Sequence, residues 1–215
     1  MPIRETSSKT GVGAIIQGIV ACGVIKPSDY PNNNIQTIKI SPGNIKAEIK
    51  SAEMHHQDLS EAPAGFFIGL QLKGVSANDI RHGMVAGNLT DNPPVAVKSF
   101  VATIAILNYP GNKENPIHIG YTPLVSCHVA HFACRLDEIK QIIHPRKSTA
   151  NNIASLKKFE RAIVKFTPIK PVCVEPFTKC PTLGRLIIRD NGKIVAAGVV
   201  MSVEHIKESD GATAN

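Results

Sequence analysis

Apolar and polar residues alternate along most of this 215-residue chain, in short runs broken by Gly, Pro and Asn. That is the period of half-buried β-strands rather than of helices. Residues 13–24, 35–40, 45–54, 66–72 and 84–86 make a first series of predicted strands, with a single helical turn at 76–81. Asp91-Asn92-Pro93-Pro94 then interrupts the pattern, and because proline cannot donate to a strand ladder this segment predicts a domain boundary. A second series covers 95–107, 122–136, 161–166, 171–177, 184–189 and 193–203. Its last two members flank Asp190-Asn191-Gly192, where Asn-Gly tolerates positive φ and predicts a tight hairpin. Residues 137–144 carry a weak helical period. Many short strands with regular turns predict an all-β chain of closed or nearly closed antiparallel barrels. The expected division is 1–92 and 93–207, with 208–215 as a polar tail.

Composition narrows the class. No run of about 18 apolar residues occurs, so a spanning helix is not predicted, and the polar start MPIRETSSKT lacks the apolar stretch of a secretory signal. The five cysteines (Cys22, Cys127, Cys134, Cys173, Cys180) are an odd, scattered set, which predicts packed thiols in a reducing cytosol rather than a disulfide framework. Up to Val95 eight Lys/Arg balance eight Asp/Glu; beyond it sixteen face nine, so the second half carries the whole net charge of +7. That asymmetry suits either a polyanionic partner or a solvated basic face.

The run IKAEIKSAEMHHQDL (45–59) ends its alternation in Glu53-Met54-His55-His56, groups able to grip a small polar ligand at a barrel rim. Neighbouring strand residues face opposite sides, so both histidines line one pocket only if the strand has ended there. Cys127-His128-Val129-Ala130-His131-Phe132-Ala133-Cys134 offers two thiols and two imidazoles, the makings of a tetrahedral zinc shell and, as a rival reading, of a metal-dependent enzyme. On one unbroken strand, however, Cys127, Val129 and His131 point one way and His128, Ala130 and Cys134 the other. Packed cysteines in a barrel wall are therefore expected, with no metal site. Lys170, Arg185, Arg189 and Lys193 fall on or near turns, where they suit phosphate contacts that position a nucleic acid. A GxxxxGK phosphate loop, a GxSxG elbow and an HExxH helix are all missing from the sequence.

Seven segments match, in order, one family's wording: SAEMHHQDLSEA (51–62), GVSANDIRHGMVAGN (74–88), NPPVAVKSF (92–100), ILNYPG (106–111), GYTPLVSCHVAHFAC (120–134), KPVCVEPF (170–177) and PTLGRLIIRD (181–190). From about residue 2 to about residue 204 the chain resembles eukaryotic translation elongation factor 1-alpha. The resemblance implies two six-stranded barrels, the family's second and third domains, with its GTPase domain outside the chain. It implies a truncated or divergent module that is not an enzyme on its own and holds no cofactor, GTP and Mg entering only with a supplied GTPase domain. The implied function is a contribution to aminoacyl-tRNA binding in protein synthesis, in the cytoplasm, with aminoacyl-tRNA and the ribosome as partners and no membrane. By matching position, Glu53 and His55 would lie beside the terminal adenosine and its aminoacyl group. Lys170, Arg189, Asn191 and Lys193 match stretches that face the tRNA T stem in bacterial elongation factor Tu. Glu61 and Glu138 match glutamates that carry ethanolamine-phosphoglycerol in some members. The alternative is a protein-interaction module that binds an exchange factor or actin, or a decayed paralogue.

The chain also departs from the family. GRVETG is replaced by Gly18-Ile19-Val20-Ala21-Cys22-Gly23, PGD by Pro63-Ala64-Gly65, and residues 112–118 enlarge a short loop.

Overall fold

The computed structural model describes residues 1–9, 13–29, 34–111, 116–143, 148–150 and 155–206. It divides into two compact units, Met1–Val95 and Ala96–Asn215. The polar tail expected at 208–215 and residues 112–115 of the enlarged loop lie outside the described residues.

In the first unit β1 (Glu5–Lys9), β2 (Gly13–Ile19), β3 (Thr37–Ser41), β4 (Ile45–Met54), β5 (Phe67–Lys73) and β6 (Val85–Asn88) pair antiparallel in the order β1-β2-β5-β4-β3-β6. Pro2 bridges Val85, and the Ile3 N–H donates to Met84 O at 2.8 Å, so the sheet curls until its two ends meet. Alternate residues of these strands, among them Ile16, Ile40, Ile68, Leu70 and Leu72, fill the barrel. Each such side chain contributes about 1.5–3 kcal/mol by leaving water. The predicted helical turn forms as a 3-10 turn, Ala77–Asp79, with the Ser76 hydroxyl accepting from the Asn78 N–H.

Strand β4 breaks strict alternation. Leu72 faces Ile49 while Gln71 faces Ser51, so Lys50 is the extra residue of a β-bulge. Ala47 and Ile49 are buried before the bulge and Ala52 after it. The bulge thereby turns Ser51 and Glu53 to the outside, where unbroken alternation from Ala47 would have buried them.

In the second unit β7 (Val97–Ile106), β8 (Leu124–Cys127), β9 (Ala130–Ile143), β10 (Arg161–Pro168), β11 (Arg185–Asp190) and β12 (Lys193–His205) run in the order β8-β11-β12-β7-β10-β9. Pairing of β8 with β9 completes a closed antiparallel ring. Phe100 and Phe166 meet inside it with centroids 5.6 Å apart. The predicted hairpin joins β11 to β12, with Asn191 (φ 47) and Gly192 (φ 77) between paired Asp190 and Lys193.

The structure corrects three expectations. Residues 137–143 are not helical but belong to β9, and His144 lies outside the described residues. Bulges at Asp137 and Lys140 space the buried Leu136, Ile139 and Ile142 at intervals of three, which imitates a helical period. Residues 171–177 form no strand; Pro171 and Pro176 lack the N–H a ladder needs, and the segment is held by the isolated bridge of Val172 to Val97 and by single bonds from the Glu175 and Phe177 N–H groups to Leu183 O and Val200 O. The single strand expected at 122–136 is a hairpin instead, β8 and β9 joined by His128 (φ 46) and Val129. That turn resets the phase, so Cys127, Ala130, Phe132 and Cys134 are all buried.

Cys22 is exposed, and the other four cysteines are buried. Burial, and then the neighbouring Cys180, pushes the Cys127 thiol up to about 12. Burial moves Cys134 in the same direction. Neither is a thiolate at neutral pH, so neither is a ready nucleophile. A chromogenic thiol reagent at mildly alkaline pH is therefore expected to titrate Cys22 alone in the native chain, and all five cysteines in denaturant. Fast labelling of a second native thiol would contradict this packing.

Candidate functional site

Two rungs of side chains on the outer face of the first barrel floor a cleft. One rung is Ile15–Gln71–Ser51 and the other Gln17–Gly69–Glu53, each crossing β2, β5 and β4. Met54, His55, His56 and Phe67 complete the lining of a hollow of about 340 Å³. That volume is at the lower end for small-ligand sites. The Ser51 hydroxyl donates to Gln71 Oε1 at 3.3 Å, which fixes the amide at the floor. Gly69 supplies no side chain where its neighbours on the same rung are Gln17 and Glu53, so the hollow deepens there.

The wall is a turn. Met54 pairs with Gln57 and Glu53 with Asp58, leaving His55 (φ 53) and His56 (φ 63) as the two central residues. Two positive φ values in succession are the geometry that Asn-Gly fills most easily, and each non-glycine residue costs about 1 kcal/mol or more there. The strand has therefore ended at Met54, and both histidines line the cleft. Glu53, Met54, His55 and His56 of that run all line the one cleft, while Ser51, Gln71, Gly69 and Phe67 join them unforeseen. The available signal was the slip from Ala47 and Ile49 to Ala52 in the apolar phase, which marks the bulge. Replacing the turn by His55→Asn with His56→Gly is expected to raise stability by about 1 kcal/mol in a denaturant melt. A lower midpoint in that melt would mean that the histidines are not strained.

In the second unit Arg189, Asn191 and Lys193 share the β11–β12 hairpin. The Tyr121 hydroxyl donates to Asp190 Oδ2 at 2.9 Å, and burial together with this bond raises the phenol well above its usual range. Tyr121 is thus a fixed neutral donor bracing the hairpin. Lys170 stands apart: Ile169 bonds Ala133, which faces Leu124, which faces Arg189. Three strand spacings separate Lys170 from the hairpin, about 14 Å along the wall.

The remaining candidates are dispersed. Glu61 is exposed 3.7 Å from Lys26 Nζ, and Glu138 is exposed 3.6 Å from Lys140 Nζ. Of the cysteine–histidine segment, the Cys127 thiol donates to Leu183 O at 3.2 Å while Cys134 is buried in the barrel. His128 Nε2 lies 3.2 Å from Cys173 O, and His131 Nδ1 lies 2.9 Å from Ser126 Oγ. Among the described residues no three His, Cys, Asp or Glu side chains are grouped to hold a metal ion. Also among them, no helix is long and apolar enough to cross a membrane.

Comparison with known proteins adds relatives. Residues 99–201 match the family model described as GTP-eEF1A C-terminal domain-like. Over 213 residues, 98% of the chain, the sequence is 39% identical to elongation factor 1-alpha of Coccidioides immitis (strain RS), and it covers 44% of that protein. It is likewise 39% identical over 213 residues to the oocyte form of elongation factor 1-alpha from Xenopus laevis, again covering 44% of it. The chain thus spans less than half the length of these relatives. Among solved structures, sup35 complexed with GDP superposes with a TM-score of 0.80 over 94% of this chain and 47% of the other. At 24% identity that likeness concerns the fold.

Proposed function

We propose that this chain, whose residues 99–201 match the GTP-eEF1A C-terminal domain-like model and which is 39% identical to elongation factor 1-alpha over 213 residues, contributes to aminoacyl-tRNA binding in protein synthesis. The observation that carries this reading is the cleft that joins Glu53 and His55. The Glu53 carboxylate can accept hydrogen bonds from a ribose hydroxyl or an α-ammonium group, and the His55 imidazole adds a second polar contact. Phe67 offers an apolar wall to a base, with Gln71 and Ser51 orienting polar edges. On the second barrel Arg189, Asn191, Lys193 and Lys170 would meet backbone phosphates, which position the tRNA without reading its sequence. Any GTP and Mg would be held outside these two barrels, and a cytoplasmic location with the ribosome as partner goes with the reading. Glu61 and Glu138, both exposed, are the proposed acceptors of ethanolamine-phosphoglycerol, which peptide mass mapping would detect.

Binding of charged and uncharged tRNA across a salt series tests the proposal. A preference for charged tRNA is expected, reduced about tenfold by Glu53→Ala, the scale of one charge-assisted hydrogen bond. Indifference to aminoacylation in the native chain would sink it. A second reading is favoured by Phe67 and Ile19, which pair in register beside the cleft and are 43% and 49% exposed. Such an apolar pair suits docking of a protein segment, from an exchange factor or actin. Saturating protein binding that leaves tRNA affinity untouched would favour this second reading.

A further inference from the structure

Three large apolar side chains stand exposed close together on the second barrel: Phe159 (78%) in a turn, Leu107 (42%) just past the end of β7 and Ile194 (41%) at the start of β12. Hydrogen bonds tie these positions together. The Phe159 N–H donates to Ile106 O at 2.9 Å, the Leu107 N–H to Val195 O at 2.8 Å, and Asn108 Nδ2 to Ile194 O at 3.0 Å. The Phe159 turn is itself braced, since Glu160 Oε2 accepts from the Lys157 N–H at 2.7 Å and the Glu160 N–H donates back to Lys157 O. Phe159 has φ 69, a region that bulky residues seldom enter. The fold thus holds a strained backbone while leaving the ring almost wholly in water, which packing within the barrel does not explain.

Cations surround these tips. Lys157 and Lys158 precede Phe159, with Lys158 Nζ 5.0 Å above its ring, and Arg161 follows at the start of β10. Lys193 adjoins Ile194, and Arg189 pairs with Ile194 across the hairpin. The acids nearby are engaged: Glu160 accepts from the Lys157 N–H and Asp190 from the Tyr121 hydroxyl.

We propose that this rim docks the protein on an anionic lipid bilayer, with Phe159, Leu107 and Ile194 entering the headgroup layer while the cations meet lipid phosphates. Apolar tips ringed by Lys and Arg are the chemistry of reversible interfacial binding, which needs no spanning segment. A nucleic-acid backbone would use the cations alone and leave three apolar side chains in water. A protein partner would need a hollow shaped to the Phe159 ring, whereas a bilayer yields to it. The inference shares Arg189 and Lys193 with the tRNA reading but rests on the three apolar side chains, which that reading does not use.

Tryptophan is absent from the chain, so Phe159→Trp installs a single reporter. The full chain is mixed with vesicles of phosphatidylcholine alone or of phosphatidylcholine with phosphatidylserine, then sedimented. Binding to the mixed vesicles is expected, with a blue-shifted emission that brominated lipid quenches. Phe159→Ala should weaken vesicle binding about tenfold and Lys193→Ala about fivefold, neither shifting the thermal midpoint. Three results would each overturn the proposal: equal sedimentation with both vesicle types, emission indifferent to mixed vesicles, or wild-type vesicle binding by Phe159→Ala. A loss of tRNA binding by Phe159→Ala as large as its loss of vesicle binding would also overturn it and assign the ring to nucleic acid.

Discussion

Gly198→Ala is expected to destabilise the second barrel by about 3 kcal/mol or more, at the upper end of what overpacking does. Gly198 lies in β12 between Leu186 of β11 and Ile104 of β7. A Cβ built on it would stand 2.1 Å from Thr103 O and 2.9 Å from both Cα and Cγ2 of Ile104. Two of those three atoms are backbone, so no rotamer change relieves the clash. Relief requires β7 to move away from β12, and these strands share the longest ladder in the barrel, from Val97–His205 to Ile106–Ala196. A shift there lengthens inter-strand hydrogen bonds and opens the core around Phe100 and Val200, which are both buried. For a unit of this size such a loss lowers the unfolding midpoint by roughly 10–20 °C. A variant melting within about 2 °C of the parent would show that β7 and β12 are not held so closely.

How much of this was legible beforehand depended on where local alternation survives into the fold. The apolar phase of Ala14–Ile16 and of Ile68–Leu70–Leu72 marks strands whose inward faces are those the sequence predicts. The Asn191-Gly192 turn was legible for the same reason, because its conformational demand is local. Bulges broke the inference elsewhere. Asp137 and Lys140 re-phase β9 into a spacing of three, and Lys50 re-phases β4. A bulge is settled by the partner strand, so no window on one strand displays it fully. The same limit hid most of the cleft: Glu53 and His55 could be named from their segment, but Gln17, Gly69 and Gln71 join them only through the β2–β5–β4 register. The histidine turn is a third case, since His-His carries no turn signal and its positive φ values are imposed by the strands it joins.

Gly69→Val is expected to abolish the preference for charged tRNA while leaving the barrel folded, and the two halves of that outcome have separate physical causes. A Cβ at Gly69 would meet only Gln17 Cγ, at 4.0 Å, so a side chain fits without moving backbone. Valine favours extended backbone and removes glycine's excess unfolded-state freedom, so stability should stay level or rise by up to about 1 kcal/mol. The branched side chain would nevertheless occupy the deepest part of the hollow, between Gln17 and Glu53. A terminal adenosine and aminoacyl group could then no longer reach Glu53, and discrimination by aminoacylation should fall at least tenfold, about 1.4 kcal/mol. Contacts from Arg189, Lys193 and Lys170 lie on the other barrel, so the salt dependence of residual binding should keep its slope, which counts neutralised phosphates. Loss of discrimination with a changed slope would instead mean that the substitution moved the whole tRNA. A folded Gly69→Val that still prefers charged tRNA would place the aminoacyl end outside the cleft, and with it remove the reason to assign Glu53 and His55 to that end.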